Sequence, residues 1–114
     1  MHELTLAMAI VELAEGEAEK NNATSVQGID LEVGVLSGVE ADALEFAFLL
    51  AVKNTSLKHA TLNIIRTLGL GRCHVCSRNF VMNEICTPCP ECNMPAGKII
   101  EGQELRIVSL VVDV

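Results

Sequence analysis

Residues 73–92 read Cys-His-Val-Cys-Ser-Arg-Asn-Phe-Val-Met-Asn-Glu-Ile-Cys-Thr-Pro-Cys-Pro-Glu-Cys, and they hold all five cysteines of a 114-residue chain. The spacing is Cys73-x2-Cys76, then Cys86-x2-Cys89-x2-Cys92. Two C-x2-C pairs in a reducing compartment predict a tetrahedral zinc site, because each pair folds as a tight turn that aims both sulfurs at one ion. Pro90 pre-sets φ at the first turn position, which favours Cys89 and Cys92 as the second pair and leaves Cys86 spare. The alternative register uses Cys86 and Cys89 and leaves Cys92 over. The same four thiolates would also suit a mononuclear iron site, though Phe80 is the only aromatic residue in the segment. A disulfide framework needs an exported chain, and no secretory signal is present. A closed four-thiolate site has no open coordination position, so it folds a module rather than catalysing a reaction.

Working outward from the cysteines, Gly69-Leu70-Gly71 reads as a hinge before the module. Glu101-Gly102-Gln103 reads as the turn after it. Leu105 to Val114 is then a long apolar strand, too hydrophobic for an isolated ribbon. It is expected to return to an earlier sheet. Its alternation changes phase near Val108, which predicts either burial on both faces or a bulge. Upstream, Ala7, Ile10, Val11, Ala14 and Ala18 recur at helical spacing, so a helix runs from Leu4 to about Asn21. Ile29, Leu31, Val33 and Val35 alternate with polar residues as a strand. Ser37-Gly38-Val39-Glu40 matches a capping box, with Ser37 as N-cap and Glu40 three residues on. It predicts an apolar helix from about Val39 to Asn54, with Leu44, Ala47, Phe48 and Ala51 inward and Phe46 and Leu50 widening the buried stripe. Ala60 to Thr67 is a second strand centred on Leu62 and Ile64. The fold class is therefore α+β: a small sheet with two helices, a four-cysteine zinc-ribbon module, and a last strand rejoining the first sheet.

Composition narrows the function classes. At 114 residues the chain is one domain's worth of protein, and 50% apolar with 20% charged residues makes it globular. Eight Lys+Arg against 15 Asp+Glu give −7, and the aromatics are Phe46, Phe48 and Phe80 alone. Nucleic acid demands a basic face and stacking platforms, so it is excluded as a partner. No apolar run is long enough to span a bilayer, so no membrane association is expected. There is no paired-carboxylate site, no nucleophile–base arrangement and no phosphate loop, so the chain is not read as an enzyme. A thiol oxidoreductase would place one C-x2-C on a thioredoxin-like βαβ unit, whereas here the cysteines form their own module.

The chain begins Met1-His2-Glu3. A free amine, the His2 backbone nitrogen and the His2 imidazole form adjacent chelate rings, and the Glu3 amide nitrogen completes a nitrogen square. That geometry suits Ni(II) or Cu(II) and serves Zn(II) poorly. Against this, a histidine near a chain start is usually just solvated, and Glu3 is favourable at a helix N-terminus whatever else it does. Glu40 is accounted for by the capping box. His59 reads as a surface residue, and His74 as a solvated residue inside the first knuckle.

Taken together, Met1-His2-Glu3-Leu4, Gly34-Val35-Leu36-Ser37-Gly38-Val39-Glu40, the knuckles Cys73-His74-Val75-Cys76 and Cys89-Pro90-Glu91-Cys92, and Gly102-Gln103-Glu104-Leu105-Arg106-Ile107 resemble the hydrogenase maturation family HypA/HybF over the whole chain. The resemblance implies a cytoplasmic nickel metallochaperone for [NiFe]-hydrogenase. It implies a nickel-binding α/β domain over 1–69, with a three-stranded sheet completed by the strand 103–114, and a zinc domain over 70–102. Nickel would be held by Met1, His2 and Glu3, with Glu40 added as in some relatives. Structural zinc would be held by Cys73, Cys76, Cys89 and Cys92. The implied partners are the GTPase HypB, the hydrogenase large-subunit precursor and, in some organisms, urease maturation proteins, with the chaperone itself a monomer or weak dimer. The competing reading is a zinc-ribbon protein-interaction module without nickel transfer. Cys86 has no counterpart in the family pattern.

Overall fold

The computed structural model describes residues 2–114. Helix α1 spans Glu3–Lys20, strand β1 Ser25–Gly34, helix α2 Ala41–Ala51 and strand β2 Thr61–Thr67. Strands β3 (Gly69–Cys73), β4 (Asn79–Met82) and β5 (Ala96–Glu101) follow, and β6 (Leu105–Asp113) closes the chain. The strands form two three-stranded sheets, ordered β2-β1-β6 and β4-β3-β5. The last strand does rejoin the first sheet, and the fold is α+β as the sequence implies.

By contacts the chain divides into two units. The first comprises the chain up to Leu31, Val39–Ile65 and Arg106–Val114. The second comprises Glu32–Gly38 and Arg66–Leu105.

In the first unit, α1 buries Ala7, Ile10, Val11, Ala14 and Ala18, the five positions its periodicity selects. It stops at the asparagine pair. Asn22 takes a left-handed φ of 56°, and Ala23 N–H reaches back to the Ala18 carbonyl at 2.9 Å, which closes the last turn. Val26 N–H donates to Ser56 and Thr24 N–H to Asp113. These bonds, with those of Val35 to Thr67 and Gly34 to Glu104, run β2 parallel to β1 and β6 antiparallel to it. Helix α2 is the crossover between the parallel pair.

The second helix departs from expectation. Its N-cap is Glu40, not Ser37, and no side chain caps it. Gly38 turns at φ +80° and Val39 is buried, so residues 37–40 stay out of the helix and the capping box does not form. Leu44, Ala47 and Phe48 are buried as expected. Phe46 and Leu50 do not widen the stripe: they are 66% and 44% exposed, and Leu49 between them is 65% exposed. The eleven-residue helix packs against α1, and its buried residues Leu44, Ala47 and Phe48 leave the opposite side to solvent.

In the second unit, β3 pairs antiparallel with β4 and β5, with register irregularities on the β5 side at Leu70/Gly71 and Arg72/Cys73. Gly69 and Gly71 lie inside β3 rather than on a flexible link. A Cβ at Gly69 would sit 2.2 Å from the Met82 carbonyl oxygen, and one at Gly71 would sit 2.3 Å from the Met82 Sδ. The glycines are there for close approach of neighbouring segments, so the hinge reading is replaced. Leu36, Cys73, Phe80, Met82 and Cys89 form the buried cluster of this unit.

Candidate metal centre

The sulfurs of Cys73, Cys76, Cys89 and Cys92 all lie within 4.8 Å of one another. Cys76 and Cys89 sulfurs are 3.8 Å apart. Zn–S bonds of about 2.3 Å in a tetrahedron put sulfurs about 3.8 Å apart, so the spacing fits that ion. Cys86 is exposed and stands outside the cluster, which selects between the two registers left open by spacing.

The two knuckles share one backbone design. Cys73 N–H donates to the Arg78 carbonyl at 2.9 Å, and Ser77 N–H to the Cys73 carbonyl at 2.9 Å. Cys89 N–H donates to the Met94 carbonyl at 2.8 Å, and Asn93 N–H to the Cys89 carbonyl at 2.7 Å. Ser77 and Asn93 occupy equivalent places, each one residue past the second cysteine, with left-handed φ of 62° and 56°. Asparagine adopts that conformation readily, and Asn93 was a signal available in the sequence. In each knuckle the first cysteine is buried and the second half-buried. An Arg78–Glu91 ion pair at 3.4 Å spans from one knuckle to the other.

The electrostatics suit a cation. The Cys73 thiol is pulled down to about 6, chiefly by the Cys76 backbone N–H, with a further N–H from Val75. The Cys92 thiol is pushed up to about 12 by its contact with Cys76, by burial and by Cys73. Four thiols this close cannot all ionise alone, whereas a divalent ion at their centre neutralises the repulsion. Zinc there would supply folding energy and no open position.

The terminal motif is placed differently. Met1 lies outside the described residues. His2 is exposed and is the N-cap of α1, at φ −81° and ψ 105°, with its carbonyl accepting Leu6 N–H at 3.1 Å. An open, almost wholly apolar depression beside it is lined by His2, Thr5, Leu6 and Ala9. Glu40 N–H donates to Glu3 Oε2 at 3.5 Å, so the backbone before α2 sits against the carboxylate that opens α1. Sequence reasoning missed this neighbourhood, since nothing local links positions 37 residues apart. His59 and His74 are both exposed, and neither joins the four-cysteine cluster among the described residues.

Residues 1–112 match the family described as hydrogenase/urease nickel incorporation, metallochaperone, hypA. A hydrogenase maturation factor HypA from Parabacteroides distasonis is 43% identical, covering 98% of this chain and 97% of its own. A hydrogenase maturation factor HypA from Geotalea uraniireducens is 37% identical over 99% of this chain and all of its own length. The solution structure of the Ni metallochaperone HypA from Helicobacter pylori superposes with a TM-score of 0.71 at 26% identity, over 99% of this chain and 98% of that one.

Proposed function

The chain belongs to the HypA family of hydrogenase/urease nickel-incorporation metallochaperones, and from that premise we propose that it carries Ni(II) on Met1, His2 and Glu3 and passes it on by ligand exchange. The family is one of metallochaperones and maturation factors, not of catalysts, and its four-cysteine centre here has the chemistry of structural zinc. In this reading the amine of Met1, the His2 amide and imidazole and the Glu3 amide form the nitrogen square. Cys73, Cys76, Cys89 and Cys92 hold zinc. Residues 1–69 with 103–114 act as the nickel domain and 70–102 as the zinc domain.

The observation that supports it is the position of His2: exposed, immediately before α1, and followed by a Glu3 side chain tied to the Glu40 backbone. With the capping-box role removed, Glu40 is free to contribute an acidic side chain beside the square. Selection then rests on planar nitrogen geometry, since Cu(II) would win on affinity alone. The exposed His2 gives an acceptor an open side from which thiolates displace amine and imidazole stepwise. The partners in this scheme are the GTPase HypB, the hydrogenase large-subunit precursor in the cytoplasm and, where present, urease maturation proteins.

The test is a Ni(II) titration of untagged, zinc-loaded protein followed by visible absorption, beside His2→Ala. A stoichiometric band of square-planar Ni(II), lost in His2→Ala, is the expected result. Equal binding by both proteins with weak octahedral spectra would leave a zinc-ribbon interaction module as the better account.

A further inference from the structure

Glu40 has both backbone groups engaged before α2 begins. Its carbonyl accepts Leu44 N–H at 3.0 Å, and its N–H donates to Glu3 Oε2 at 3.5 Å. In a capping box, the N–H of the N-cap is held by an acid three positions into the same helix. That position in α2 is Ala43, which has no side-chain oxygen to offer. The acid comes instead from Glu3, the first residue of α1. A half-buried Glu3 side chain thus fastens the start of α1 to the start of α2.

The aim of that N–H is set two residues upstream. Gly38 is exposed, takes φ +80°, and an added Cβ would meet nothing within 4 Å. Space does not call for glycine at this position; conformation does, because L-residues rarely adopt such a φ. Val39 is buried, while Glu40 is exposed again. Burial of Val39 pins the segment, the left-handed turn sets its direction, and the Glu40 N–H meets Glu3. A residue with an ordinary negative φ at 38 rotates the peptides that follow, so the buried Val39 and the Glu3 contact cannot both be kept.

We propose that Gly38 is a positioning residue for the Met1-His2-Glu3 site: its left-handed turn, anchored by Val39, holds the Glu40 N–H on the Glu3 carboxylate and so keeps the nitrogen ligands aligned. The inference rests on the proposed nickel square and adds to it residues that carry no ligand atom. It also gives the Glu3 side chain a role apart from the metal, since only the Glu3 backbone nitrogen enters the square.

The test compares untagged, zinc-loaded wild type with Gly38→Val, Gly38→Asn, Glu3→Ala and the double variant of Gly38→Val with Glu3→Ala. Two quantities are read: hydrogen exchange of the Glu40 amide in nickel-free protein, and the Ni(II) dissociation constant by chelator competition on the visible band. Gly38→Val and Glu3→Ala should each speed Glu40 exchange and each raise the dissociation constant at least about fivefold. Gly38→Asn should preserve both quantities, because asparagine accepts a left-handed backbone and the space around the position is open. The double variant should be no weaker than either single one, since both cut the same connection. The square-planar band should persist in every variant, no nitrogen ligand having been removed. Should Gly38→Val lose its circular dichroism signal, Gly38→Ala takes its place with the same expectation. Failure of Gly38→Asn alongside Gly38→Val, or additive losses in the double variant, overturns the proposal. So does an unchanged nickel affinity in Gly38→Val despite faster Glu40 exchange, which would leave Gly38 a turn residue only. A wild type without the square-planar band overturns the nickel reading and this one with it, whereas a wild type with the band and variants of equal affinity overturns this one alone.

Discussion

Cys86 and Cys89 are three residues apart and have the same side chain, yet one is exposed and the other buried in the metal cluster. Cys86→Ser should therefore leave zinc at one per chain, while Cys89→Ser should lose it and unfold the module; a zinc assay after gel filtration separates the two. Zinc holds its cysteines as thiolates, so protons compete with it for all four sulfurs, and zinc release to a chelator should accelerate as pH falls from 8 to 5, which a stopped-flow chelator assay would register. A flat profile over that range would contradict it. Gly69→Ala would drive a methyl into the Met82 carbonyl and the Leu36 side chain, costing about 1–3 kcal/mol in urea unfolding.

Within the first sheet, Asp30 ties all three strands. Its Oδ1 accepts Asn63 Nδ2 of β2 at 3.1 Å, and its Oδ2 accepts Ser109 Oγ of β6 at 2.7 Å. These bonds, Ser109's first, hold the Asp30 carboxyl below the usual carboxylate range. A depressed folded value stabilises the sheet above the unfolded one, and that contribution is lost as pH falls through the folded value. Asp30→Asn should flatten the acid limb of the stability–pH curve below about pH 4. An unchanged acid limb would show that the clamp is solvated away. Helix α1 was legible because its five apolar positions and its asparagine stop are local signals. Helix α2 was not fully legible. The capping box is a local pattern too, but burial of Val39 and the left-handed Gly38 overrode it.

For the molecule as a whole, the two units depend on different forces. The first buries apolar residues, Phe48 among them, from two helices and a sheet. In the second, two of the five buried cluster residues are cysteines of the metal centre, so little core remains once the metal is gone. Chelation should erase hydrogen-exchange protection in β3, β4 and β5 while the helical circular dichroism signal persists. Loss of both together would mean that the first unit cannot stand without the zinc. No described helix is long and apolar enough to cross a membrane.

The sequence by itself determined the element order, the inward face of α1, the two knuckles and the family, because each rests on spacing within a few residues or on the chain-long succession of such motifs. The turn chemistry of Pro90 already favoured Cys86 as the spare cysteine, and tertiary structure added the convergence of the other four sulfurs, which spacing leaves between two registers. Tertiary structure decided that Gly69 and Gly71 serve close packing and not bending, because the atoms they make room for belong to Met82. It also decided that Glu40 lies against Glu3, a meeting brought about by packing of α1 on α2 and invisible to any pattern along the chain.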